Sequence, residues 1–109
     1  MRIRIPSKRI CEKFHLTYEL LGAQKGVNVL TKYYEIRRMK IVVDGRKVGN
    51  SYEAQYFGGT ATFTKQGFKK INVLHELYHH LVESYGLEIP LRKEERFARK
   101  FTVEVMTRR

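Results

Sequence analysis

Three features of the sequence predict an α+β fold: helical apolar periodicity toward both ends, a β-branched and glycine-punctuated middle, and one strongly apolar helical segment over about residues 69–85. Together they predict an N-terminal helix, a small antiparallel sheet of about three strands, a central helix and a C-terminal helix, in one domain over residues 1–109.

Ser7 is placed to cap a first helix over about residues 8–22, with Ile10, Cys11, Phe14, Tyr18 and Leu21 on one face and Gly22 as its stop. Residues 23–28 read as a loop. Val29–Tyr34 and Glu35–Val43 are β-branched and aromatic, so they read as strands. Asp44-Gly45 is a two-residue hairpin signal, followed by a return strand over about 46–57. Gly58-Gly59 marks a second turn before a short strand, Thr60–Thr64. This middle region reads as an antiparallel meander. The next helix, about 69–85, is apolar over more than half its circumference through Ile71, Val73, Leu74, Leu77, Tyr78, Leu81 and Val82, and is expected to be central. Gly86 and Pro90 punctuate the loop after it. A last helix, about 91–107, carries Phe97, Ala98, Phe101, Val105 and Met106 on its inner face.

A hydrophobic content of 42% with 30% charged residues fits a folded chain rather than a disordered one. The single cysteine, Cys11, excludes an intrachain disulfide framework. No window has the apolar length of a membrane helix, and the N-terminus carries charge without a signal-peptide core. A soluble cytoplasmic protein without a membrane partner is therefore expected. The formal net charge of +11 is large for this length and points to an acidic partner, nucleic acid first.

The chemistry is carried by His75-Glu76-Leu77-Tyr78-His79, an H-E-x-x-H motif inside the central helix. Residues four apart share a helical face, so both imidazoles can reach one metal ion, and the carboxylate of Glu76 is placed to act on a water there. Burying two imidazoles and a carboxylate is costly unless something satisfies them. A zinc ion does so; hydrogen-bonded core histidines are the alternative. An open catalytic site requires a third protein ligand. Cys11 and His15 are remote in sequence, and His80 points about 100° away from His79 around the helix, as a surface or supporting residue. Glu83 extends the stripe one turn too far to converge. Glu94 and Glu95 open the last helix. Glu94 shares the stripe of Phe97, Ala98, Phe101 and Val105, whereas Glu95 shares that of Ala98, Thr102 and Met106, so periodicity favours Glu94 with Glu95 as the alternative. Both also suit the helix dipole as first-turn acids.

A motif helix followed by a Glu-bearing helix resembles the gluzincin branch of the zincin metallopeptidases. Position 82 is Val and position 85 is Tyr, where the metzincin extension has Gly and His. Leu74–Leu81 and Lys93–Phe101 are similar to the two signature helices of compact ImmA/IrrE-type peptidase domains, over about residues 60–106; SprT-type proteases are a second relative. The resemblance implies a zinc (Zn2+) metalloprotease acting on a peptide or protein substrate. Its ligands are His75, His79 and Glu94 (or Glu95), and its general base is Glu76. It also implies a substrate-binding edge strand at Thr60, Ala61 and Thr62. Tyr78 and Tyr85 are candidates for a second donor to the oxyanion.

The alternatives are a basic nucleic-acid-binding protein, a protease brought to nucleic-acid-bound proteins by its charge, and an inactive zincin with a structural metal. Basic pairs such as Arg37-Arg38, Lys69-Lys70 and Arg99-Lys100 are scattered along the chain without a recognised DNA-binding motif.

Overall fold

The computed structural model describes residues 3–44 and 53–109. Its architecture is α+β: helices α1 (Lys8–Leu21) and α2 (Ala23–Tyr33), strands β1 (Lys40–Val43), β2 (Ala54–Phe57) and β3 (Thr60–Phe63), then helices α3 (Lys70–Ser84) and α4 (Leu91–Thr107). No described helix is long and apolar enough to cross a membrane.

Ser7 caps α1 as expected, its hydroxyl oxygen accepting the Ile10 N–H at 3.3 Å. Gly22 ends that helix with φ 98°, and a second helix starts at once. The expected loop at 23–28 and strand at 29–34 are instead α2. Its apolar spacing explains the difference. Ala23, Val27, Leu30 and Thr31 lie at helical steps and are all buried, so tertiary packing overrides the β-branched preference of Val27, Val29 and Thr31. Gly26, which reads as a loop residue in sequence, is where α2 presses against α1. A Cβ there would stand 2.9 Å from the Cβ of Tyr18.

After α2 the chain turns through Glu35, held at φ 57°, and buries Met39 before β1 begins. The strand expected over 35–43 is thus confined to its last four residues. Residues 45–52, with Gly45 of the expected hairpin and most of the return strand, lie outside the described residues; the end of that strand is β2, which lies beside β3 and not beside β1 as a hairpin would require.

The sheet is mixed, not an antiparallel meander. Its order is β1-β3-β2, with β1 parallel to β3 (Lys40 opposite Thr60) and β2 antiparallel to β3 (Phe57 opposite Thr60). Gly58 and Gly59, at φ 54° and 89°, supply the two positive φ values of a tight hairpin between β2 and β3. The chain from β1 therefore reaches the far edge first and folds back into the middle, which makes β3 the central strand.

Helices α3 and α4 match the expected ranges closely. Val73, Leu74, Leu77 and Leu81 of α3 are fully buried among Phe14, Leu30, Met39, Phe63, Phe101 and Val105. That single cluster draws on all four helices and the sheet, so α3 is the central element. Each fully buried Leu or Phe contributes about 1.5–3 kcal/mol.

One buried polar contact closes the helical layer. His15 of α1 has Nε2 2.9 Å from the Val105 carbonyl of α4, and its Nδ1 is 3.1 Å from the Lys70 ammonium. An ammonium only donates, so the ring is neutral, with Nε2–H given to Val105. Burial holds the His15 pKa below the ordinary imidazole value, against the opposing bond to Val105. A folded-state pKa below the unfolded one makes the unfolded chain bind more protons as pH falls, so this contribution is complete above about pH 6.5 and is lost below it. In urea titrations between pH 7.5 and 5 the wild-type chain is expected to lose stability relative to His15→Gln as the pH falls. Equal slopes in the two proteins would contradict the assignment.

Candidate metal centre

Two turns of α3 and the first turns of α4 build the site. His75 and His79 stand on one face of α3, their ring centroids 5.1 Å apart and their planes at 68°. The register of α3 follows from its buried apolar stripe, which leaves this face toward α4. From α4, the Glu95 carboxylate meets both imidazoles: Oε1 lies 2.8 Å from His79 Nε2 and Oε2 lies 3.0 Å from His75 Nε2. Glu94 goes to the other side of His79 and pairs with its Nδ1. The carboxylate between the two Nε2 atoms is therefore Glu95, the alternative, and not Glu94, which helical periodicity favoured. Both glutamates face α3, but each addresses a different nitrogen.

His75, His79 and Glu95 form a group that could hold a metal ion: one donor atom from each lies within 4.8 Å of the others. The donor set, two imidazole nitrogens and one carboxylate oxygen, is among those that zinc takes in open sites. The pairing of His79 supports the fit. A neutral imidazole has one N–H, and both nitrogens of His79 face carboxylates. If Nδ1–H goes to Glu94, the Nε2 lone pair points at Glu95. His79 and Glu95 would both hold a cation there, which would relieve that repulsion, and Glu94 would orient the ligand ring from behind. Burial lowers the His75 pKa, favouring the neutral form that offers a lone pair, although the Glu95 charge opposes it.

Glu76 lies beside these groups and is buried, at 9% exposure. Burial pushes its carboxyl pKa up to about 7; the Glu95 charge acts in the same direction and His79 opposes it. A carboxyl poised there can take up and release protons near neutrality. His75, Glu76, His79, Glu94 and Glu95 all line one open cleft of about 800 Å³, whose opposite wall includes Ala54, Gln55 and Tyr56 of β2.

The strand on that wall is β2, not the strand that holds Thr60, Ala61 and Thr62. Thr60, Ala61 and Thr62 belong to β3, which is paired with β1 on one side and with β2 on the other. Its main chain has no open edge to offer. The outer edge of β2 has no partner strand among the described residues, and β2 is the strand that borders the cleft.

The two tyrosines considered as oxyanion donors sit elsewhere. Tyr78 is buried against Phe101, with ring centroids 5.5 Å apart, and Tyr85 donates to the Tyr34 carbonyl at 2.7 Å. The tyrosine that sequence reasoning missed is Tyr56. Its hydroxyl is 2.8 Å from His80 Nδ1 and 3.0 Å from Glu83 Oε1, and it accepts the Gly59 N–H at 3.0 Å. His80 is fully buried rather than at the surface, with Nε2 2.7 Å from the Arg37 carbonyl. The single Tyr56 O–H proton is shared between two acceptors, His80 Nδ1 and the Glu83 carboxylate. His80 thus ties α3 to the segment before β1 and to the strand that borders the cleft. Only the single helical step from His79 signals this in sequence; the partner strand is too distant to read.

No family model, curated protein or solved structure matches this chain.

Proposed function

We propose that this chain is a zinc-dependent metallopeptidase of the zincin type, with His75, His79 and Glu95 as metal ligands and Glu76 as general base. The observation that carries the reading is the convergence of Glu95 on the Nε2 atoms of both motif histidines, beside a buried glutamate in an open cleft.

Bound zinc supplies a Lewis acid that polarises a carbonyl and makes water acidic enough to act near neutral pH. The chain's own residues do the rest. Glu94 holds the His79 ring in one orientation through Nδ1. Burial keeps the Glu76 carboxylate basic enough to take a proton from the attacking water. The same carboxyl then gives that proton to the departing amine nitrogen, so the peptide C–N bond breaks with the proton balance closed. An extended substrate adds to the outer edge of β2 by main-chain hydrogen bonds, which places a peptide along the wall opposite α3.

The test is metal-dependent hydrolysis of an unfolded polypeptide such as casein. The zinc-loaded chain is expected to cleave it, to stop on chelation, and to recover on adding zinc. A chain that binds zinc stoichiometrically and cleaves no unfolded substrate would overturn the peptidase reading and leave the metal with a structural role.

A further inference from the structure

The excess positive charge of this chain has a focus away from the cleft. Helix α2 presents Lys25, Asn28, Val29 and Lys32 along one stripe, since steps of three, four and seven residues return to the same helical face. Lys13 of α1 and Arg38, in the segment before β1, join this stripe to line a groove of about 550 Å³. Four of its lining residues are cations and none is acidic. Among the described residues none of the four cations enters an ion pair, whereas Lys70, Arg37 and Arg108 each do. The groove shares no residue with the cleft that holds His75, His79 and Glu95.

We infer that this groove is a docking surface for the phosphate backbone of nucleic acid. Each wall carries exposed cations, and Asn28 adds an amide able to donate to phosphate oxygens. Lys25 and Lys32 stand about 10 Å apart along the helix axis, a distance over which one strand of a duplex advances about three phosphates. Shape favours a nucleic acid over a lipid surface. A bilayer is flat and takes up protruding apolar side chains, whereas the apolar residues here, Val29 and Ile36, are half-buried in a concave surface while the lysines and the arginine are exposed. Exposed lysines and an arginine address phosphate charge, so the expected recognition is of backbone without sequence preference.

The test uses the full chain and a fluorescein-labelled 20-base-pair DNA duplex, followed by anisotropy over a salt series. Two variants carry the same net charge: K25E/K32E in the groove and K65E/K69E at exposed lysines that line neither the groove nor the cleft. The groove variant is expected to bind at least about tenfold more weakly, with a log K against log salt slope smaller by about two. The control is expected to stay within about threefold of wild type. A milder variant, K13Q/R38Q, is expected to weaken binding in the same direction, which covers the case of a charge reversal that unfolds the helix pair. Equal losses in the groove and control variants would show general charge attraction and overturn the inference. So would absence of duplex binding at low salt, or tighter binding to poly-glutamate or to phosphatidylserine vesicles than to the duplex. The measurement reads binding alone, so its outcome is independent of whether the cleft is a peptidase site.

Discussion

Replacing Glu76 with glutamine is expected to lower kcat/KM for peptide hydrolysis by about 10²–10⁴-fold while leaving bound zinc unchanged. The amide has nearly the shape of the carboxyl and fills the same buried position, so the packing of α3 is kept. It cannot accept a proton from water at neutral pH, which removes the one group in the cleft that is buried, carboxylic and outside the ligand set. Loss of activity with full zinc content separates this role from metal binding. The reading of Glu76 is contradicted by a variant that keeps more than about a tenth of wild-type activity, because a positioned general base contributes at least about a hundredfold. Simultaneous loss of zinc and activity would contradict it too, since it would make Glu76 a ligand or a structural support.

The second large effect separates the two glutamates of α4. Glu95→Gln removes the carboxylate that meets both Nε2 atoms, and Glu94→Gln removes only the partner of His79 Nδ1. Loss of an orienting partner typically costs about 10–100-fold in metal affinity. Glu94→Gln is therefore expected to weaken zinc by about that factor, and Glu95→Gln by clearly more than about 100-fold, as a lost ligand requires. Competition with a chromophoric chelator measures both. The reverse order would return the ligand role to Glu94 and demand a different roll of α4 against α3 from the one the structure shows.

That roll is where sequence reasoning reaches its limit. The motif helix was legible because H-E-x-x-H fixes its own spacing and because Val73, Leu74, Leu77 and Leu81 fix which face turns inward. The last helix was legible as a helix, and both of its opening glutamates were legible as candidates. Adjacent residues lie about 100° apart, so both can address one facing helix, and only packing decides which nitrogen each meets. Thr102, on the Glu95 stripe, is buried as Phe101 is, and Phe97 is only half-buried, so the boundary between the two stripes, rather than the Phe stripe alone, turns toward α3.

The same dependence on distant partners explains the sheet. Four-residue strands carry too little pattern to fix their neighbours, and the parallel pairing of β1 with β3 depends on a connection through β2 that local turn signals do not reveal. The hairpin glycines were readable, yet the strand they lead into became central instead of an edge. In α2, Val29 and Thr31 suggested a strand, yet a bare Gly26 packs on Tyr18 and the segment is a helix. Tyr56 and His80, which connect the cleft wall to α3, became visible only with that sheet in place.

The central claim is that one zinc ion is held by His75, His79 and Glu95. Anomalous diffraction from crystals of the metal-loaded chain, recorded on both sides of the zinc edge, tests it most directly. The expected result is a single strong peak between the two helices, with two Nε2 atoms at about 2.0–2.1 Å and a Glu95 oxygen at about 2.0–2.2 Å. A peak ligated by Glu94 in place of Glu95, a peak remote from α3, or no zinc signal from a chain supplied with the metal would contradict it.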